Sequence, residues 1–204
     1  MITRRKFITA SAACTTGLAL GSSTALQLAR ARSVDSFAAP LLEPKPGEKL
    51  ITILHTNDTH SQIDPLPAND RNAGKGGVAR RATLVKRVRK ENRNTLLIDA
   101  GDAFQGTPYF NLYRGEVEFK AMTAIGYDAM TLGNHDFDNG VDALASAMKF
   151  ASFDFVSTNY DVRGTKIESR VKPYVVRNLG GVRVGLFGLG IKLEGLNPPD
   201  SIRG

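Results

Sequence analysis

The chain contains a single cysteine, Cys14, and three histidines, His55, His60 and His135. Cys14 falls within an amino-terminal leader, so the remaining chain has no thiol. Disulfide frameworks, thiolate metal sites and cysteine nucleophiles are thereby excluded. Internal repeats and low-complexity tracts are absent, and a composition of 42% hydrophobic and 23% charged residues excludes extensive disorder. Positive charge is also scarcer than the formal net of +7 suggests. Arg4, Arg5, Lys6 and Arg30 precede residue 32 and the first acid is Asp35, so from Arg32 onward 23 bases face 20 acids, a net of +3. That near-neutral balance removes the argument for a nucleic-acid partner.

Residues 1–31 carry a signature of their own. Arg4 and Arg5 stand just before an uncharged run from Phe7 to Ala29, and Ala29-Arg30-Ala31 offers small residues for cleavage. The segment resembles a twin-arginine signal peptide, the address read by machinery that exports folded proteins. The run is about long enough to span a bilayer, yet only six of its residues are Leu, Ile or Phe. A cleaved leader therefore stands ahead of a permanent anchor. It implies no stable membrane span after its removal and a periplasmic or otherwise extracytoplasmic destination. Residues 32–48, rich in proline and charge, read as a linker, and residues 49–204 as the globular part.

The globular part alternates. Strand-like segments at 50–55, 95–98, 129–132 and 153–157 are separated by helix-like segments near 78–91, 117–125 and 141–150. In the first helix Val78, Ala82, Val85 and Val88 share one face. Arg80, Arg81, Lys86, Arg87, Arg89 and Lys90 occupy the rest, which reads as a solvated basic surface. Strands separated by such helices predict a largely parallel α/β sheet. The stretch "YVVRNLGGVRVGLFGLG" then predicts a hairpin with a Leu-Gly-Gly turn, opening a second sheet region.

Parallel sheets bind ligands beyond the carboxyl ends of their strands. The first strand is followed by Asp58 and His60, which on an extended chain point the same way. The second is followed by Asp99 and Asp102, and the third by Asn134, His135, Asp136 and Asp138. Three successive strand ends bearing oxygen or imidazole donors predict one shared metal site. Without thiolate, the donors suit Mn, Zn, Co, Fe or Mg. Asp102 is the preferred ligand over Asp99, which reads as a residue that orients its neighbours. Asp138 either caps the following helix or pairs with His135; paired, His135 can donate a proton to a departing alkoxide. His55 reads as a hydrogen-bonded core histidine.

Through "ILHTNDTHSQI", "GDAFQGTP" and "GNHDFD" the chain resembles the calcineurin-like metallophosphoesterases, and within them the bacterial 5′-nucleotidase/UDP-sugar hydrolase family. The resemblance runs from about Ile51 to Gly190. It implies a four-layer α/β/β/α sandwich with only the first half present, two divalent metal ions, and hydrolysis of phosphate monoesters, foremost 5′-nucleotides, by metal-activated hydroxide. It further implies that Asp58 and His60 bind one ion, that Asp102 bridges, that Asn134 binds the second, and that His135 with Asp138 is the catalytic pair. Cyclic phosphodiesterase, UDP-sugar pyrophosphatase and thiosulfate-ester hydrolase activities of the same fold stay open.

Two departures qualify the resemblance. Asp136 stands where the family usually has Glu, at a position that is not a ligand. The later histidines that complete the family's site have no counterpart after His135. The expectation is the amino-terminal part of a catalytic domain, inactive by itself and normally followed by a separate C-terminal nucleotidase domain. A non-catalytic remnant binding metal or phosphate weakly is the alternative. Val182, Val184 and Leu186 are expected to lack the second sheet against which they would bury. For the leader, replacing Arg4 and Arg5 with lysine should trap the precursor in the cytoplasm; unchanged export of that variant, measured by cell fractionation, would exclude the twin-arginine route.

Overall fold

The stretch TILHT, Thr52–Thr56, alternates half-buried and exposed positions, whereas TLLID, Thr95–Asp99, is buried almost throughout. A strand buried on both faces reads as a continuous apolar run, and an alternating one has a single covered face. In the computed structural model, which describes residues 45–202, these are β1 and β2 of a five-stranded sheet. It is completed by β3 (Ala129–Met130), β4 (Asp154–Val156) and β5 (Val171–Lys172). Every neighbouring pair is parallel, and the spatial order is the order in sequence. The leader and most of the linker lie outside the described residues; residues 45–48 are exposed, with the Glu48 amide donating to the Lys45 carbonyl at 2.9 Å. Among the described residues no helix is long and apolar enough to cross a membrane.

Right-handed crossovers in an unbroken strand order place the connecting helices on one face of the sheet. The helices are α1 (Val78–Glu91), α2 (Pro108–Tyr113), α3 (Glu116–Ile125) and α4 (Val141–Ala147). Leu97, Met130 and Phe155 from the strands join Val85, Phe119, Met122 and Leu144 from the helices in the main core. The Phe119 ring lies 4.7 Å from that of Phe104 and 5.3 Å from that of Phe155. Two short elements, α2 and β5, have no counterpart in the sequence reading. Six residues are too few for helical periodicity to show, although Pro108 is a start signal, and β5 is cut short by Pro173.

The hairpin forms as the glycine pair dictates. β6 (Tyr174–Leu179) and β7 (Val182–Phe187) pair antiparallel across a two-residue turn, with Gly180 at φ 60° and Gly181 at φ 85°. Only glycine adopts two such angles in succession without steric cost. Val175, with Leu186 beside it, packs on Ala129 and Val156, covering part of the sheet face opposite the helices. This corrects two expectations. Val182, Val184 and Leu186 are half-buried, and the exposed apolar side chains are Tyr174, Val176 and Phe187 on the alternate positions. His55 is not a core residue: it is exposed with Ile53, because Leu54 is the β1 position that faces the helices.

The basic surface of α1 is also smaller than its composition suggests. Arg89 donates to the Ile125 and Gly126 carbonyls at 3.0 and 2.6 Å and to the Asp128 carboxylate at 3.2 Å, capping the end of α3. Arg81 donates to the Tyr127 hydroxyl at 3.1 Å. Arg80, Lys86, Arg87 and Lys90 remain exposed.

Asp154 joins three strands at the end of the sheet where β4 begins. It accepts from Lys172 of β5 at 2.8 Å and from Arg177 of β6. Burial raises its pKa, but the two cations outweigh burial and hold it below the ordinary 3.8. Its contribution to stability is therefore complete above pH 3.8 and lost as pH falls through the lower folded value. Asp154→Asn should cost about 1 kcal/mol at neutral pH, and the two proteins should converge in strong acid. Urea unfolding at both pH values checks this; a difference independent of pH would refute it.

Candidate metal centre

The three loops that follow β1, β2 and β3 share one sheet edge and are tied together through their backbones. The amides of Asp58, His60 and Ser61 donate to the carbonyls of Gly101, Asp102 and Ala103 at 3.0, 3.1 and 2.9 Å. Asp58, His60, Ser61, Asp102 and Gln105 all have positive φ, between 43° and 70°. Asp58 and His60 therefore do not converge through strand alternation, as an extended chain would allow. Left-handed kinks turn them instead, a conformation that L-residues adopt at a cost and that clusters at functional sites.

Beneath these kinks two backbones nearly touch. A Cβ on Gly101 would lie 2.5 Å from the Gly133 nitrogen, and one on Gly133 would lie 2.1 Å from Asp102 Oδ1. Asp136, which points inward and is 2% exposed, fastens the same crossing. It accepts from the Gly133 amide at 2.8 Å and from the amides of Asp102 and Ala103, both at 3.1 Å. Burial raises its pKa to about 7 with help from Asp99 and Asp102, against the pull of the Gly133 amide.

One ligand atom from each of Asp58, His60 and Asp102 lies within 4.8 Å of the other two. His60 Nδ1 is 3.1 Å from the Phe104 carbonyl, which can only accept, so Nδ1 carries the proton and Nε2 presents a lone pair. His60 Nε2 lies 3.8 Å from Asp58 Oδ1. Asp102 Oδ1 accepts from the His135 amide at 2.9 Å. His135 Nδ1 is 2.8 Å from Asp138 Oδ2, and the His135 ring stands edge-on to that of His60 with centroids 5.2 Å apart. The bond to Asp138 raises the pKa of His135 more than burial lowers it. Asn134 precedes the 3₁₀ turn His135–Phe137 on the same loop, and Gly140, rather than Asp138, occupies the cap position of α4.

Asp99 sits outside the cluster, 4% exposed. It accepts from the Gly101 amide at 2.9 Å and from the Thr56 hydroxyl at 2.5 Å. Thr56 lies 2.7 Å from the Tyr127 hydroxyl, which Arg81 approaches from α1, so donors run inward from the surface to Asp99. Burial lifts Asp99 to about 6 against the Thr56 and Gly101 hydrogen bonds.

The donor set fits a divalent cation. Two carboxylates and an imidazole whose far nitrogen is already engaged form a hard-to-borderline site. Sequence reasoning misses two contributors. Asp136 reads only as a position that is not a ligand, and its role lies in backbone contacts that spacing does not reveal. Asn197 reaches the site from far along the chain: its Nδ2 lies 2.9 Å from the Asn134 carbonyl and 3.3 Å from Asp138 Oδ1.

The fold and this edge define an α/β protein with a candidate divalent-metal site beside a histidine–aspartate pair. The chain belongs to the calcineurin-like phosphoesterase family, which it matches over residues 51–198. It is 42% identical over 149 residues to the snake venom 5′-nucleotidase of Crotalus adamanteus, covering 68% of this chain and 25% of that one. Among solved structures it is similar to the 5′-nucleotidase precursor from Thermus thermophilus, with TM-score 0.64 and 45% identity, covering 69% of this chain and 28% of that one. The Haemophilus influenzae NAD nucleotidase aligns with TM-score 0.65 and 28% identity over 74% of this chain and 28% of its own. The chain thus spans about a quarter of the length of the curated relatives it matches.

The glycine crossing yields a test. Gly133→Ala should displace Asp102, weakening Mn binding about tenfold or more and destabilising the chain by roughly 1–3 kcal/mol. Gly185→Ala, whose Cβ would meet nothing within 4 Å, should change neither. Mn titration followed by electron paramagnetic resonance, with urea unfolding alongside, measures both; equal Mn affinity in the two variants would refute the crossing as a determinant of the site.

Proposed function

We propose that this chain supplies the amino-terminal part of an exported, two-metal phosphoesterase acting on phosphate monoesters, foremost 5′-nucleotides. The observation that carries the reading is the meeting of Asp58, His60 and Asp102 within 4.8 Å, beside the hydrogen-bonded His135–Asp138 pair. The 5′-nucleotidase relatives supply the substrate class, and their length makes the activity that of a longer protein carrying this segment. Export by the twin-arginine route rests on Arg4 and Arg5.

Asp58 and His60 would hold the first cation, Asp102 would bridge, and Asn134 would bind the second. When bound, such ions supply Lewis-acid charge for the phosphoryl oxygens and lower the pKa of water. The residues of this chain do the rest. Phe104 fixes the His60 ring through Nδ1, and Asp136 holds the Asp102 backbone. Asp138 accepts from His135 Nδ1 and favours the doubly protonated ring, so Nε2 would carry the second proton, face the reacting group and hand that proton to the leaving alkoxide, leaving a neutral ring protonated on Nδ1.

In a protein of the relatives' length carrying this chain, Asp102→Ala should lower phosphate release from AMP by several orders of magnitude and abolish tight metal binding. Asp99→Ala, which disturbs only the hydrogen bonds behind the site, should cost about 10–100-fold. Assaying phosphate release and bound metal for both variants tests the assignment; equal losses would show that Asp102 does not bridge, and normal turnover of Asp102→Ala would refute the proposed function.

A further inference from the structure

We infer that Asn197 is a positioning residue for the His135–Asp138 pair, stapling both ends of the turn that carries them. The inference rests on the reading of His135 as proton donor. The Asn197 side-chain nitrogen donates to the Asn134 carbonyl at 2.9 Å, ahead of the turn, and to Asp138 Oδ1 at 3.3 Å, at its end. Both partners are acceptors, so the amide has one workable orientation, with NH₂ facing the turn. Asn197 is 5% exposed, and its Oδ1 is buried without a hydrogen-bond partner. An unpaired buried acceptor opposes folding, and stability alone would favour an apolar side chain of the same shape. What the amide adds is its two donated hydrogen bonds.

The donors fix the chemistry of the pair. Asp138 takes His135 Nδ1 on Oδ2 and Asn197 on Oδ1. With one donor on each oxygen, the carboxylate cannot rotate away from His135 without losing a partner, and it keeps the proton on Nδ1. Nε2 is left free. Without Asn197, Asp138 Oδ1 loses the donor it has among the described residues, and the ring can exchange between its two neutral forms.

The segment carrying Asn197 is held in place to do this. The amides of Leu196 and Asn197 both donate to the Leu193 carbonyl, at 3.0 and 3.1 Å, and Pro198 follows. Leu193 and Ile202, on either side, pack against the main core. A loop anchored at both ends therefore presents one amide to the back of the catalytic turn.

The deciding readout is the proton position on His135, which needs neither turnover nor bound metal. Long-range ¹H–¹⁵N spectra of the full chain, recorded in alkaline solution where imidazoles are neutral, report which nitrogen of His135 carries the proton. Wild type should show the Nδ1–H form alone. Asn197→Leu and Asn197→Ala should show shifts averaged between the two forms, while Mn affinity at Asp58, His60 and Asp102 stays within about twofold of wild type, because Asn197 hydrogen-bonds to none of these three. An unchanged Nδ1–H form in a folded variant would overturn the inference, and so would failure of both variants to fold, since Asn197 would then be structural. If the tautomer shifts as expected but His135→Asn, in a protein of the relatives' length carrying this chain, leaves AMP turnover intact, the proposed role of His135 falls while the positioning by Asn197 stands.

Discussion

Asp136 is the point on which the candidate site depends. One buried carboxylate gathers three backbone amides from two strand-end loops, at the place where Gly101 and Gly133 leave no room for side chains. Losing it would leave donors unpaired at a cost of about 1–3 kcal/mol each. The larger effect would be geometric. Asp102 takes its position from this crossing, and His135 takes its own partly from Asp102. The ligand cluster and the histidine pair are thus held as one assembly from beneath, by a buried residue that grips the Asp102 backbone and offers no ligand of its own.

How much of this was legible in the sequence depended on the range of the contacts involved. The order of strands and helices could be read because short apolar runs at β1 and β2 alternate with the helical periodicity of α1, and the hairpin because Gly180-Gly181 admits few alternatives. The grouping of Asp58, His60, Asp102 and Asn134 on one edge followed from parallel strands having a common direction. The left-handed turns at Asp58 and His60 could not be read, since L-residues reach those angles only under tertiary constraint. Nor could Asp136 or Asn197 be assigned: both act on backbone groups of other loops, and no spacing encodes such a contact.

Burial departs from the sequence reading where one face of a sheet differs from the other. An unbroken strand order puts the helices on one side, so Leu54 is covered and His55, its neighbour, is not. The hairpin covers only part of the opposite face. Its inward residues are Val175 and Leu186, and Tyr174, Val176 and Phe187 project away. The same one-sidedness explains why α1 is less solvated than its charges suggest: Arg81 and Arg89 are engaged by Tyr127 and by the end of α3.

The unbroken strand order also sets a sequence of events on the ribosome. Each strand of the sheet pairs with the one made just before it, so every closure is short and the sheet grows by addition at one edge. The loops bearing Asp58, His60 and Asp102 are fully translated by the time β3 emerges, and the turn with His135 and Asp138 follows directly. The loop bearing Asn197 arrives only after two more strands and a hairpin. A nascent chain can thus gather its cation ligands well before it can steady the histidine beside them, making affinity for metal an early product of synthesis and proton-transfer geometry a late one.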